Sequence, residues 1–130
     1  LHELYFANIF GSGSQISQAV KQDIEHDFGS YEKWLEDFKA VGMAFRGWSL
    51  MVFDLNTGKI RNIGVDIHNS NGIWNAVVLL AMDVYEHAYY TDYGPKRAPY
   101  IESFINAINW KEVERRLNAA KKAYNALMVK

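Results

Sequence analysis

Residues 75–94 read NAVVLLAMDVYEHAYYTDYG: an unbroken apolar run from Ala76 to Met82 closes on Asp83, and Glu86, His87 and four tyrosines follow. A short run rich in valine and leucine, entered from the loop-like HNSNG, reads as a strand. Its lack of polar alternation predicts a strand that is central in its sheet or covered on both faces. An aspartate at the end of such a strand has two readings. With Glu86 three residues on, it forms a capping box, worth about 1 kcal/mol to the helix it starts. Alternatively it meets a cation, because a carboxylate withdrawn from water among aromatic rings costs several kcal/mol unless a positive charge or several donors compensate it. Residues four apart on a helical turn lie about 5–6 Å apart at Cβ, so Asp83 and His87 can address one ion. Carboxylate and imidazole without thiolate favour iron, manganese or zinc.

Working upstream from this strand, the period changes to two. WSLMVFD (48–54), the turn residues Asn56-Thr57-Gly58 and KIRNIGVD (59–66) predict a β-hairpin, with Gly58 supplying the positive φ that a short turn needs. Before it come two amphipathic helices. One runs from about Ser14 to Phe28, with Ile16, Val20, Ile24 and Phe28 on one face and Gly29 ending it. The other starts at Ser30 as N-cap and turns Trp34, Phe38, Val41 and Phe45 to the core. His26, between Glu25 and Asp27, reads as solvated. Leu1, Leu4, Tyr5 and Ile9 fit the tail of an earlier helix, stopped by the connection Gly11-Ser12-Gly13-Ser14. That connection lacks the preceding strand and the Gly-Lys-Ser/Thr ending of a phosphate loop.

Downstream of Asp83 the pattern is helical: a short piece from about Glu86, another from Lys96 to Ala107, and a last helix from Trp110 with Asn109 and Glu112 as its capping box. Its apolar stripe is Trp110, Val113, Leu117, Ala120, Tyr124 and Leu127; the lysines and arginines opposite read as a solvated face. A small three-stranded antiparallel sheet flanked by helices is an α+β domain.

Composition narrows the function classes. A chain of 130 residues suffices for one domain with a proper core. Aromatic residues make up 15%, which predicts extensive ring-on-ring packing. A formal charge of −1 supplies no broad positive field, so nucleic acid is not an expected partner. The absence of cysteine removes disulfides, thiolate ligands and thiol nucleophiles together. The apolar run is far shorter than the roughly 20 residues of a membrane helix, so no membrane span is expected. The first residues carry no secretory signal, and a cytoplasmic location is the expectation. They also lack an initiator methionine, which leaves room for residues upstream.

DVYEHAYYTDY resembles the D-x-W-E-H-A-Y-Y signature of iron/manganese superoxide dismutases. Further matches follow in order: HELYFAN is similar to the family's second-ligand helix, FGSYEKWLEDFKA to its next helix, GWSLMVFD to its Gly-Trp strand and NAINW to its late Asn-Trp. The resemblance runs from His2 to about Leu117. It implies the C-terminal α+β domain of that family over residues 13–130, preceded at 1–12 by the end of an N-terminal ligand-bearing helix. It implies His2, Asp83 and His87 as ligands of one iron or manganese ion per subunit. The family's fourth ligand, a histidine on a helix that would lie before Leu1, and its gateway tyrosine are not within these residues. The resemblance further implies that His68 orients solvent at the metal. Glu86 would reach across a dimer interface to the partner's ligand histidine, Tyr90 would lie at that interface near the gate, and Arg97 would lie near the substrate funnel. Departures from the family pattern are Tyr85 in place of the signature Trp and Leu50 in place of the second Trp of a Trp-x-Trp strand; the Asn-His start and the Phe-Trp pair are altered in LHELYFAN.

The implied function is dismutation of superoxide to oxygen and hydrogen peroxide by one-electron cycling of the ion, in a homodimer or tetramer. The alternative is a non-catalytic, dimer-forming member with an incomplete metal site.

Overall fold

The computed structural model describes residues 5, 15–66, 75–85 and 96–128. The Gly-Ser connection, the HNSNG loop and the short helix expected from Glu86 lie outside them. Tyr5 is helical, as the first segment predicts.

Helix α1 spans Gln18–Phe28. Its N-cap is Ser17 rather than a residue near Ser14: the Ser17 Oγ accepts from the Val20 N–H and donates to Glu114 across the domain at 2.8 Å. Val20 and Ile24 are buried, and Gly29 closes the helix at φ 93°. Helix α2, Tyr31–Ala44, starts on Ser30, whose Oγ accepts from the Lys33 N–H at 3.1 Å. Trp34, Phe38 and Gly42 are its buried stripe; Val41 and Phe45 are only half-buried, and Phe45 already lies beyond the helix as its cap.

Three strands follow: β1 Trp48–Asp54, β2 Lys59–Val65 and β3 Ala76–Asp83. The four-residue turn between β1 and β2 ends on Gly58 at φ 71°. Both pairings are antiparallel and the order is β2-β1-β3. The central strand is therefore β1, and β3 is an edge strand, covered rather than central. The period of two on β1 separates two apolar faces, neither of them solvated: its residues from Trp48 to Phe53 are all buried. Trp48, Leu50 and Val52 belong to one core cluster, and Met51 and Phe53 belong to another, packed with the helices.

Helices α3, Arg97–Ala107, and α4, Trp110–Met128, complete the domain. The aromatic surplus forms a continuous stack in the helical core. Trp34 lies 5.3 Å from Phe38 and 5.6 Å, edge-on, from Trp110, and Phe38 leads on to Phe104. The Trp34 Nε1–H donates to Asn62 Oδ1 on β2 at 3.0 Å, which ties the stack to the sheet. On α4 the stripe Trp110, Val113, Leu117 and Ala120 is buried, while Leu127 is exposed. The solvated basic face has one exception, Arg116, which is 4% exposed.

Candidate metal centre

Asp83 is the last residue of β3 and pairs with Trp48, the first residue of β1. Directly opposite residues of an antiparallel pair share a face, so the carboxylate and the indole stand side by side. Gly47 joins three segments at this end of the sheet. Its N–H donates to Val65 O at 3.0 Å, and its carbonyl accepts from the N–H of Val84, the residue after Asp83, at 2.7 Å. A side chain at position 47 would collide with the Val65 and Asp66 carbonyls, which explains the Gly before Trp48.

Asp83 is 2% exposed. Its Oδ1 accepts from the Tyr85 N–H at 3.0 Å, a bond of the kind that caps a following turn, so the capping reading describes part of what the residue does. Tyr5 closes the same face. Its ring meets Trp48 edge-on at 6.2 Å and stacks on Phe104 at 5.8 Å, and its hydroxyl lies 3.0 Å from that of Tyr100. Burial pushes the Tyr5 phenol up, the Tyr100 hydrogen bond pulls it down, and the Asp83 charge pushes it up again. The phenol is thus neutral and senses the carboxylate. Tyr5 was not singled out from sequence as a site residue. The signal was its spacing, three residues after His2 in a segment with helical periodicity.

Of the residues named from sequence, Asp83 and Arg97 are described; His2, His68, Glu86, His87 and Tyr90 lie outside the described residues. Among the described residues no three His, Asp or Glu side chains gather into a metal-binding cluster. The surroundings of Asp83 nevertheless fit a cation: an almost wholly buried carboxylate on a face of Trp and Tyr rings is a hard oxygen donor that a metal would compensate. Arg97 serves the end of α2. Its Nη1 donates to the carbonyls of Gly42, Met43 and Phe45 at 3.1, 3.3 and 2.6 Å, satisfying groups that a helix terminus leaves open.

An α+β domain with this carboxylate at its sheet end matches a known class. Residues 16–116 fit the family described as iron/manganese superoxide dismutases, C-terminal domain, and the chain belongs to that family. It is 43% identical over 128 residues to a superoxide dismutase [Fe] of Aquifex pyrophilus, an alignment covering 98% of this chain and 60% of that protein. Against superoxide dismutase [Mn] 1 of Halobacterium salinarum the identity is 37%, covering 95% of this chain and 62% of the relative. For a superoxide dismutase [Mn] of Haloarcula hispanica it is 41%, covering 79% and 72%. The chain thus spans about three-fifths of the length of the first two relatives.

Proposed function

We propose that this chain is the ligand-bearing C-terminal part of a superoxide dismutase that uses iron or manganese. The observation that carries the reading is Asp83: a buried carboxylate at the end of β3, beside Trp48 and Tyr5, in a chain of this family.

His2, Asp83 and His87 would hold the ion. When bound, it supplies the one-electron store that allows two superoxide anions and two protons to become oxygen and hydrogen peroxide. The remaining work belongs to the chain. Asp83 contributes one negative charge and, through Tyr85 and the Gly47–Val84 bond, a fixed direction. Trp48 and Tyr5 flank the buried carboxylate, and Phe104 backs the Tyr5 ring. His68 would hold solvent and a proton at the site. The assembly would be a homodimer or tetramer, with Glu86 and Tyr90 at the interface.

The test measures metal per chain and superoxide consumption in the full-length protein and in Asp83→Ala. The proposal expects about one iron or manganese per subunit and rapid consumption in the parent, and loss of both in the variant. A parent protein that carries neither metal, or that carries one and leaves superoxide unconsumed, overturns it in favour of a non-catalytic family member.

A further inference from the structure

Edge strand β3 carries one residue too many. Met51 on β1 pairs with Leu80, yet the next residue, Val52, pairs with Val78, so Leu79 has no partner on β1. Such a bulge reverses the facing of every residue beyond it. The core clusters show this: Ala76 and Val78 face the Trp48 cluster, whereas Val77, Leu79, Leu80 and Met82 face the helical core, with two neighbours, Leu79 and Leu80, on the same side. Beyond the bulge Ala81 returns to the Trp48 cluster, and Asp83 pairs with Trp48 itself. With every residue kept and the bulge flattened, strict pairing from Val52–Val78 would set Met82 opposite Trp48 and turn Asp83 toward the helical core.

What touches the bulge is Arg116. Its Nη1 donates to the Leu79 carbonyl at 3.1 Å, and its Nε donates to Glu112 at 3.1 Å, in the buried layer between α4 and β3. A charged donor gives a stronger bond than a neutral one, and α4 sets its position independently of the sheet. We propose that Arg116 is a positioning residue: by clamping the Leu79 bulge it fixes the register that presents Asp83 on the metal-facing side of the sheet. This rests on the reading of Asp83 as a metal ligand.

The experiment compares the full-length protein with Arg116→Met, Arg116→Lys, and Val113→Ala, a buried α4 change that lowers stability while leaving the Arg116–Leu79 hydrogen bond in place. Each is assayed for metal affinity, unfolding midpoint and, by crystallography, the partner of Trp48. In Arg116→Met, iron or manganese affinity is expected to fall roughly ten-fold or more beyond that of Val113→Ala, with Met82 opposite Trp48; Arg116→Lys is intermediate. Deleting Leu79 removes the surplus residue and makes the native facing the regular one, so Arg116→Met with that deletion recovers metal binding. Should Arg116→Met not fold, Arg116→Lys with and without the deletion carries the comparison. Native pairing in Arg116→Met, equal metal loss in Val113→Ala, or no recovery on deletion overturns the proposal. A parent protein without metal defeats the reading of Asp83 instead, and the pairing of Trp48 still decides the role of Arg116.

Discussion

Replacing Gly47 by alanine tests whether the end of the sheet that presents Asp83 is held by backbone alone. A Cβ built there lies 2.6 Å from the Val65 carbonyl oxygen and 2.8 Å from that of Asp66, both main-chain atoms that cannot rotate away. Relief requires β2 to move off β1, which stretches the Gly47–Val65 bond, or Gly47 to tilt, which breaks the bond from Val84. Overpacking of this kind costs about 1–3 kcal/mol, and one lost backbone hydrogen bond adds about 0.5–1.5 kcal/mol. Alanine returns about 0.4–1 kcal/mol by stiffening the unfolded chain. The net destabilisation is about 2 kcal/mol, a large share of the ~5–15 kcal/mol that holds a domain together. Urea unfolding of the full-length protein should show a lower midpoint at unchanged slope, and hydrogen exchange should show the Val84 amide losing protection. A Gly47→Ala protein as stable as its parent, with the Val84 amide still protected, would refute the reasoning.

Trp34→Phe keeps most of the ring stack but strands the Asn62 acceptor, and is expected to cost about 1–3 kcal/mol in urea unfolding. Arg97→Ala removes the donor shared by three carbonyls at the end of α2; faster exchange of the amides at the C-terminal end of α2 is expected, and unchanged exchange would place the guanidinium's main role elsewhere. The hydrogen bond from Arg115, with the charge of Arg116, holds the Glu112 carboxyl below the usual carboxylate range despite partial burial. A depressed folded value means that the stabilisation is complete above the unfolded pKa of about 4.3 and is lost as pH falls through the folded one. Glu112→Gln should therefore weaken the protein at neutral pH and flatten its acid limb, measured by urea midpoints from neutral to strongly acidic solution.

The helices and the hairpin were legible because local chemistry agreed with the global fold. Ser30, Gly29 and Gly58 sit where cap and turn geometry want them, and the stripe from Trp110 to Ala120 has one meaning. The strand most informative about function was the least legible in its placement. AVVLLAM, Ala76 to Met82, is apolar at every position because helices and the Trp48 cluster cover both faces, so the pattern holds no trace of edge position or of a bulge. Arg116 escaped for the opposite reason: a basic residue on a helix reads as solvated, whereas bonds such as those to the Leu79 carbonyl and Glu112 make its burial tolerable. Burial pulls its guanidinium down and the Glu112 charge pushes it back up. Asp83 was legible as a chemical oddity, and its place beside Trp48 and Tyr5 is a property of register.

The same end of the sheet also explains why departures from the family's aromatic pattern need not open the site to water. Leu50, where the family has tryptophan, is fully buried in the cluster of Trp48 on the carboxylate's face, so water does not reach this position. Tyr5 supplies an edge to Trp48 and a face to Phe104, and its hydroxyl is satisfied by Tyr100, an arrangement in which a buried phenol costs little. Tyr85, in the place of the signature tryptophan, packs against the same cluster, and its N–H is the one that meets Asp83. The shell has therefore been rebuilt from different rings around an unchanged carboxylate. The constraint lies on the direction of Asp83, set by backbone bonds at Gly47 and Tyr85, more than on the identity of any single aromatic residue.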